Sequence, residues 1–228
     1  QLNGADIAGA TSATYTPTQT EPGTYTFTRK AKDGSCADWT SSTGSYTLTI
    51  YALPTLSEPA NRTQSVCAGN AIDDITFTYT NATSIQASNL PAGLSLSGNK
   101  ITGTPTASGT YTVTTVNENG CTEVSRQGTI TVNELPTLTV TPTNVTCNGI
   151  DNGKLAVAVS GGTPSYTIYN NSTSVGTLAA AGTYNIENLE PGNYTVSVTD
   201  NNGCSATADS KTITQPEPLT LTIDSHTD

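Results

Sequence analysis

Histidine, tryptophan, basic side chains and long apolar runs are all scarce in this 228-residue chain. The one histidine is His226 and the one tryptophan is Trp39, while 8 Lys+Arg stand against 18 Asp+Glu for a formal charge of −10. A lone histidine near the end of the sequence leaves no evident base to activate a hydroxyl or thiol, and paired carboxylates are equally sparse. Asp73 and Asp74 would point to opposite faces if extended, and neither has an evident partner. The chain therefore offers no catalytic residues and reads as a non-enzyme. No two cysteines are close in sequence, which argues against a zinc cluster. The acidic surplus would repel a phosphate backbone or an anionic lipid surface, so nucleic acid is not an expected partner. No apolar run approaches the length of a membrane span, so this segment is not expected to insert directly into a bilayer.

What the chain has in abundance is threonine at alternate positions. In "GTYTVT" (109–114) Tyr111 and Val113 share one face, and Thr110, Thr112 and Thr114 share the other. Threonine is β-branched and favours extended backbone, yet its hydroxyl is satisfied by water, so it builds strands with a wet face. The same grammar appears in "TYTFT" (24–28), "TFTYT" (76–80), "TLTVT" (137–141), "YTVSVT" (194–199) and "LTLTI" (219–223). No stretch holds a helical apolar period. The fold class is all-β.

One phrase occurs three times. Gly23-Thr24-Tyr25, Gly109-Thr110-Tyr111 and Gly192-Asn193-Tyr194 are each followed by a turn and a cysteine, at Cys36, Cys121 and Cys204, spaced by 85 and 83 residues. Pro54, Pro136 and Pro218 recur at intervals of 82. A repeat of that size, built of short strands and Gly/Asn turns, is an immunoglobulin-like sandwich rather than a solenoid unit or propeller blade. The expected organisation is a string of such sandwiches in extended array. Residues 1–52 are the later half of one, 53–134 and 135–216 are complete, and 217–228 begin another, so the sequence reads as a piece of a longer protein. Asp33-Gly34, Asn119-Gly120 and Asn202-Gly203 would close the last hairpin of each unit. The repeated tyrosine would face the core.

Each complete unit holds two cysteines, Cys67 with Cys121 and Cys147 with Cys204, 54 and 57 residues apart. The expectation is one disulfide within each unit, with Cys36 left unpaired because its partner would precede the chain. Such bonds imply an oxidising, extracellular setting.

The third unit, "VTCNGIDNGKLAVAVSGGTPSYTIYN" through "NLEPGNYTVSVTDNNGCSATADSKTITQP", resembles the SprB repeat of Bacteroidetes gliding adhesins. The second, above all "NLPAGLSLSGNKITGTPTASGTYTVT", resembles immunoglobulin-like domains of secreted bacterial surface proteins, and "YTPTQTEPGTYTFTRKAKDG" is similar to another module of that group. The resemblance implies a type IX-secreted protein of the bacterial cell surface whose repeats hold an adhesive part away from the cell. Its partners would be other repeats of the same chain and an unidentified surface or glycan ligand.

Two binding readings stand beside that structural one. Calcium is no expected cofactor, but an intra-unit disulfide would bring Asp151 and Asp200 to one end of the third unit, where Asn152 and Asn201 could add oxygens. Asp and Asn are equally ordinary turn formers. A glycan platform wants exposed rings, for which Trp39, Tyr166 and Tyr169 are the candidates; the competing roles are packing against the final strand of its own domain for Trp39, and one core and one surface position for the two tyrosines.

Overall fold

The computed structural model describes residues 1–12, 14–31, 40–208 and 210–222. Strands β1 (Gly23–Ala31) and β2 (Thr40–Ile50) pair antiparallel from Gly23↔Ile50 to Ala31↔Thr40. The Asp33-Gly34 turn expected between them, with Cys36 and Trp39, lies outside the described residues.

The next nine strands form one sandwich. They are β3 (Thr55–Leu56), β4 (Gln64–Cys67), β5 (Ile75–Thr76), β6 (Tyr79–Thr80), β7 (Ser84–Ser88), β8 (Leu94–Ser97), β9 (Lys100–Gly103), β10 (Gly109–Val116) and β11 (Ser125–Asn133). One layer runs β4-β11-β10-β7, with β4 parallel to β11; the other is made of the β3-β6 and β5-β9-β8 ladders. The "TFTYT" stretch, expected as one strand, is split into β5 and β6. Phe77 between them remains 1% exposed and its N–H donates to the Asn99 carbonyl at 2.9 Å, so the strand breaks its ladder without losing its core contact.

A second sandwich follows: β12 (Pro136–Thr143), β13 (Gly153–Gly161), β14 (Tyr166–Asn170), β15 (Thr173–Leu178), β16 (Gly182–Leu189), β17 (Gly192–Tyr194), β18 (Val196–Asp200), β19 (Ser205–Thr207) and β20 (Lys211–Ile213). Here β12-β13-β16 faces β15-β14-β18-β19, and β17 pairs with β20. Each sandwich has its own core, one built around Phe77, Ile101, Tyr111 and Ile130, the other around Leu155, Val157, Tyr166 and Ile168. Residues 217–222, expected to open a further strand, form none; Leu219 is 100% exposed, and a strand without a neighbour has no ladder to stabilise it.

The threonine grammar is realised as expected in β10, where Tyr111, Val113 and Thr115 are buried between half-exposed Thr112 and Thr114. The wet faces are not idle. Hydroxyls meet across strands at Thr110–Thr129 (3.3 Å), Thr114–Ser125 (2.8 Å), Thr137–Ser160 (2.8 Å) and Thr199–Ser205 (2.7 Å). Such pairs add a few tenths of a kcal/mol each to sheet pairing.

The repeated tyrosine takes two forms. In "EPGTY" and "EPGNY" the hydroxyls of Tyr25 and Tyr194 donate back four residues, to the Glu21 and Glu190 carbonyls, both at 2.9 Å. This is the tyrosine corner of immunoglobulin-like sandwiches, and both rings are half-buried. The second unit has Ala107-Ser108 before its glycine, and Tyr111, fully buried, donates instead to the Arg62 carbonyl at 2.9 Å. Burial pushes the Tyr111 hydroxyl from its ordinary 10 up to about 12, partly countered by the Arg62 charge. Above pH 10 the unfolded chain releases a proton that the folded one retains. The associated stability is complete below that pH and falls by about 1.4 kcal/mol per unit as pH rises toward 12. Urea titrations at pH 9, 10, 11 and 12 should show this decline, and Tyr111→Phe should flatten it.

Candidate functional site

The strongest constellation in the molecule lies where the two sandwiches meet. Cys67 is the last residue of β4 and sits opposite Asn133, the last residue of the parallel β11, so both strands leave the first sandwich at the same end. The Ala68 N–H donates to the Asn133 carbonyl at 2.8 Å, fixing the loop that follows Cys67 against that exit. Only Glu134 and Leu135 separate β11 from Pro136, which begins β12.

The facing surface of the second sandwich is the turn from Asp200 to Cys204. Asp200 is 6% exposed and its carboxylate accepts three backbone hydrogen bonds. Oδ1 takes the N–H groups of Asn202 (2.9 Å) and Cys204 (2.8 Å), and Oδ2 takes that of Thr163 (2.8 Å). Asn202 Nδ2 donates to the Thr163 hydroxyl at 2.9 Å, and Gly203 adopts φ 80°. Gly162 passes close by at φ 60°, where a Cβ would stand 2.8 Å from Asp200 Oδ2 and 3.0 Å from the Pro136 nitrogen. The turn is thereby held rigidly beside the first residue of β12.

Across this junction Cys67 and Cys204 form a disulfide, with Cα atoms 5.6 Å apart and a sequence separation of 137. The expected pairs, Cys67–Cys121 and Cys147–Cys204, are therefore corrected, and Cys121 and Cys147 carry free thiols. The reason is which end of the sandwich each loop occupies. Cys121 precedes β11 whereas Cys67 lies beside its last residue, so the nine-residue strand separates them by about 26 Å. Cys147 likewise precedes β13, whose far end leads to Gly162 and the Asp200 turn.

The same geometry removes the calcium pair. Asp151 stands at the start of β13 and Asp200 beyond its other end, so they do not share a site, and both Asp200 oxygens are already engaged by backbone donors. No group of three metal-ligating side chains occurs among the described residues. Of the glycan candidates, Tyr166 and Tyr169 form no exposed pair of rings. Tyr166 is 2% exposed and donates to the Gly161 carbonyl at 2.7 Å, so it is a core residue; Tyr169 is half-buried on the same strand, and Trp39 lies outside the described residues.

The junction is doubly attached. Two covalent paths, the Glu134-Leu135 linker and the disulfide, join the sandwiches at separate points, and two attachments restrict bending and twisting that one would permit. Asp200→Asn should weaken it, because the amide nitrogen would face the Thr163 or Cys204 N–H and leave a donor unpaired. A loss of about 2 kcal/mol is expected in urea unfolding of residues 135–216.

Residues 52–140 match the family model Putative Ig domain, and residues 139–173 match that of the SprB repeat. No curated protein matches the chain in sequence. Among solved structures, the N-terminal eight Ig domains of Down Syndrome Cell Adhesion Molecule align with a TM-score of 0.52 at 15% identity. That alignment covers 84% of this chain and 31% of the other, so the chain spans about a third of that structure. A three-Ig segment of titin aligns with a TM-score of 0.50 at 17% identity, covering 86% of this chain and 75% of the other. Identities this low speak to fold alone. By fold the chain is a run of tandem immunoglobulin-like sandwiches, and within the second of them residues 139–173 are similar to a SprB repeat.

Proposed function

We propose that this segment is a non-catalytic spacer of a bacterial cell-surface adhesin, presenting an adhesive region away from the cell, in a protein exported by type IX secretion and serving gliding motility. The observation that supports it most is the Cys67–Cys204 bond across a two-residue linker, which stiffens a junction between two small sandwiches. A spacer needs reach and resistance to folding back, and a doubly attached junction supplies both. The disulfide also suits an extracellular location, and none of the helices among the described residues is long and apolar enough to cross a membrane. Its partners are then other repeats of the same chain.

Small-angle scattering tests the physical basis. A compact globule of this length would have a radius of gyration of about 17 Å, and a row of sandwiches placed end to end on the order of 25 Å. The larger value is expected; the smaller would mean that the units fold back on one another. In the parent protein, deleting residues 135–216 should shorten the projection and leave ligand recognition intact. Loss of recognition with length preserved would locate binding in the repeats themselves.

A further inference from the structure

Among the described residues, the two free cysteines occupy the same positions as the two bonded ones, one repeat removed. Cys67 and Cys147 each begin a Cys-x-Gly turn in which the glycine takes positive φ, 87° at Gly69 and 79° at Gly149. Both turns are fastened to the segment leaving their own sandwich. Ala68 N–H reaches the Asn133 carbonyl at 2.8 Å; Asn148 Nδ2 reaches the Pro216 carbonyl at 3.1 Å, and Gly149 N–H the Gln215 side-chain oxygen at 3.2 Å. Cys147 is thus an exposed thiol at the exit of the second sandwich, as Cys67 is at the exit of the first.

Cys121 and Cys204 are matched just as closely. Each closes a five-residue turn opened by an Asx side chain whose oxygen accepts its N–H, from Asn117 at 3.0 Å and from Asp200 at 2.8 Å. Gly120 and Gly203 precede them at φ 70° and 80°. The Asn117–Cys121 turn lies at the entry of its sandwich. There Asn117 and Asn119 share a cleft with Tyr51 and Ala52, the connection from the preceding hairpin.

We infer that the disulfide between an exit cysteine and the next unit's entry-turn cysteine is a repeating linkage. Cys147 is the exit half of a bond to the entry turn of a following unit, and Cys121 the entry half of a bond to the exit turn of a preceding one. The ligand of each thiol is therefore a cysteine of a neighbouring repeat, and the array is covalently cross-linked at every such junction. In forming each bond two thiols lose two protons and two electrons, the S–S bond closes, and the disulfide of a thiol oxidant is reduced to two thiols. This inference is independent of the spacer reading, since cross-linked units could equally serve a binding array.

The test extends the chain. Residues 1–216 are followed directly by a second copy of 135–216, which places the added proline where Pro218 stands, and the protein is refolded with oxidised glutathione. With Asn201→Gln in the added copy to give its Cys204 peptide a distinct mass, peptide mapping without reduction is expected to find Cys147 joined to the added copy's equivalent of Cys204, with Cys67–Cys204 formed in the same molecules. A second extension by residues 53–134, which fold around a different core, should join Cys147 to the added equivalent of Cys121. The linkage is refuted if Cys147 stays alkylatable in both extensions while Cys67–Cys204 forms. It is also refuted if the added copies close bonds between their own two cysteines.

Discussion

Reduction of the Cys67–Cys204 bond, or its removal by Cys67→Ser, is expected to lower the stability of both sandwiches and not only of one. Cys67 lies at the exit of the first sandwich and Cys204 at the entry of the second. When either unit unfolds beside its folded neighbour, the bond therefore still closes a loop of roughly 70 residues, worth about 4 kcal/mol in the chain-entropy model. For domains of this size that is a fall in Tm on the order of 20 °C. An intra-unit bond would behave differently, because removing it would affect only the unit that held it. Differential scanning calorimetry of the wild type and Cys67→Ser should show both transitions shifted downward, and a shift confined to one would contradict the junction geometry.

The second large effect is expected from one methyl group. Gly128 on β11 pairs with Tyr111 on β10, and the tyrosine ring crosses over it to reach the Arg62 carbonyl. A Cβ at position 128 would stand 2.3 Å from that carbonyl oxygen and 2.4 Å from the ring. Neither neighbour is free to retreat. The Arg62 segment is tied to β11 by its own Nε bond to the Gln127 carbonyl at 3.1 Å, and Tyr111 is fully buried. Gly128→Ala must expel the ring or spread the strands, losing a buried hydrogen bond as well as packing, at a cost of about 3 kcal/mol. Gly109→Ala serves as control in the same sandwich, since its Cβ would meet only Pro91 Cγ at 3.4 Å; a change of about 0.5 kcal/mol or less is expected. Equal effects would remove Tyr111–Gly128 from the account of the core.

The all-β class and the core face of β10 were legible because strand alternation is local: Tyr111 and Val113 are separated by one residue and share a face whatever else the chain does. Tyr166 could be placed in the same way, since it alternates with Ile168. The tyrosine corners were visible as repeated words but not as hydrogen bonds, because the hydroxyl's partner depends on whether Glu-Pro or Ala-Ser precedes the glycine. The cysteine pairing failed for a different reason. Sequence spacing gives the size of a loop, not the end of the sandwich at which it closes. Five strand positions cross between Cys67 and Cys121, with β5 and β6 counted as one interrupted strand, and an odd number of crossings puts two loops at opposite ends. The same count applies between Cys147 and Cys204, and between Asp151 and Asp200, with β17 and β18 taken as one. Counting strands, rather than residues, was the signal available in the sequence.

The central claim is that covalent bonding crosses from one sandwich to the next, and non-reducing proteolysis with mass spectrometry tests it most directly. After alkylation of free thiols in the native protein, the digest should contain one peptide pair joining Cys67 to Cys204, with Cys121 and Cys147 recovered as alkylated residues. Recovery of Cys67 joined to Cys121 and of Cys147 joined to Cys204 would contradict it.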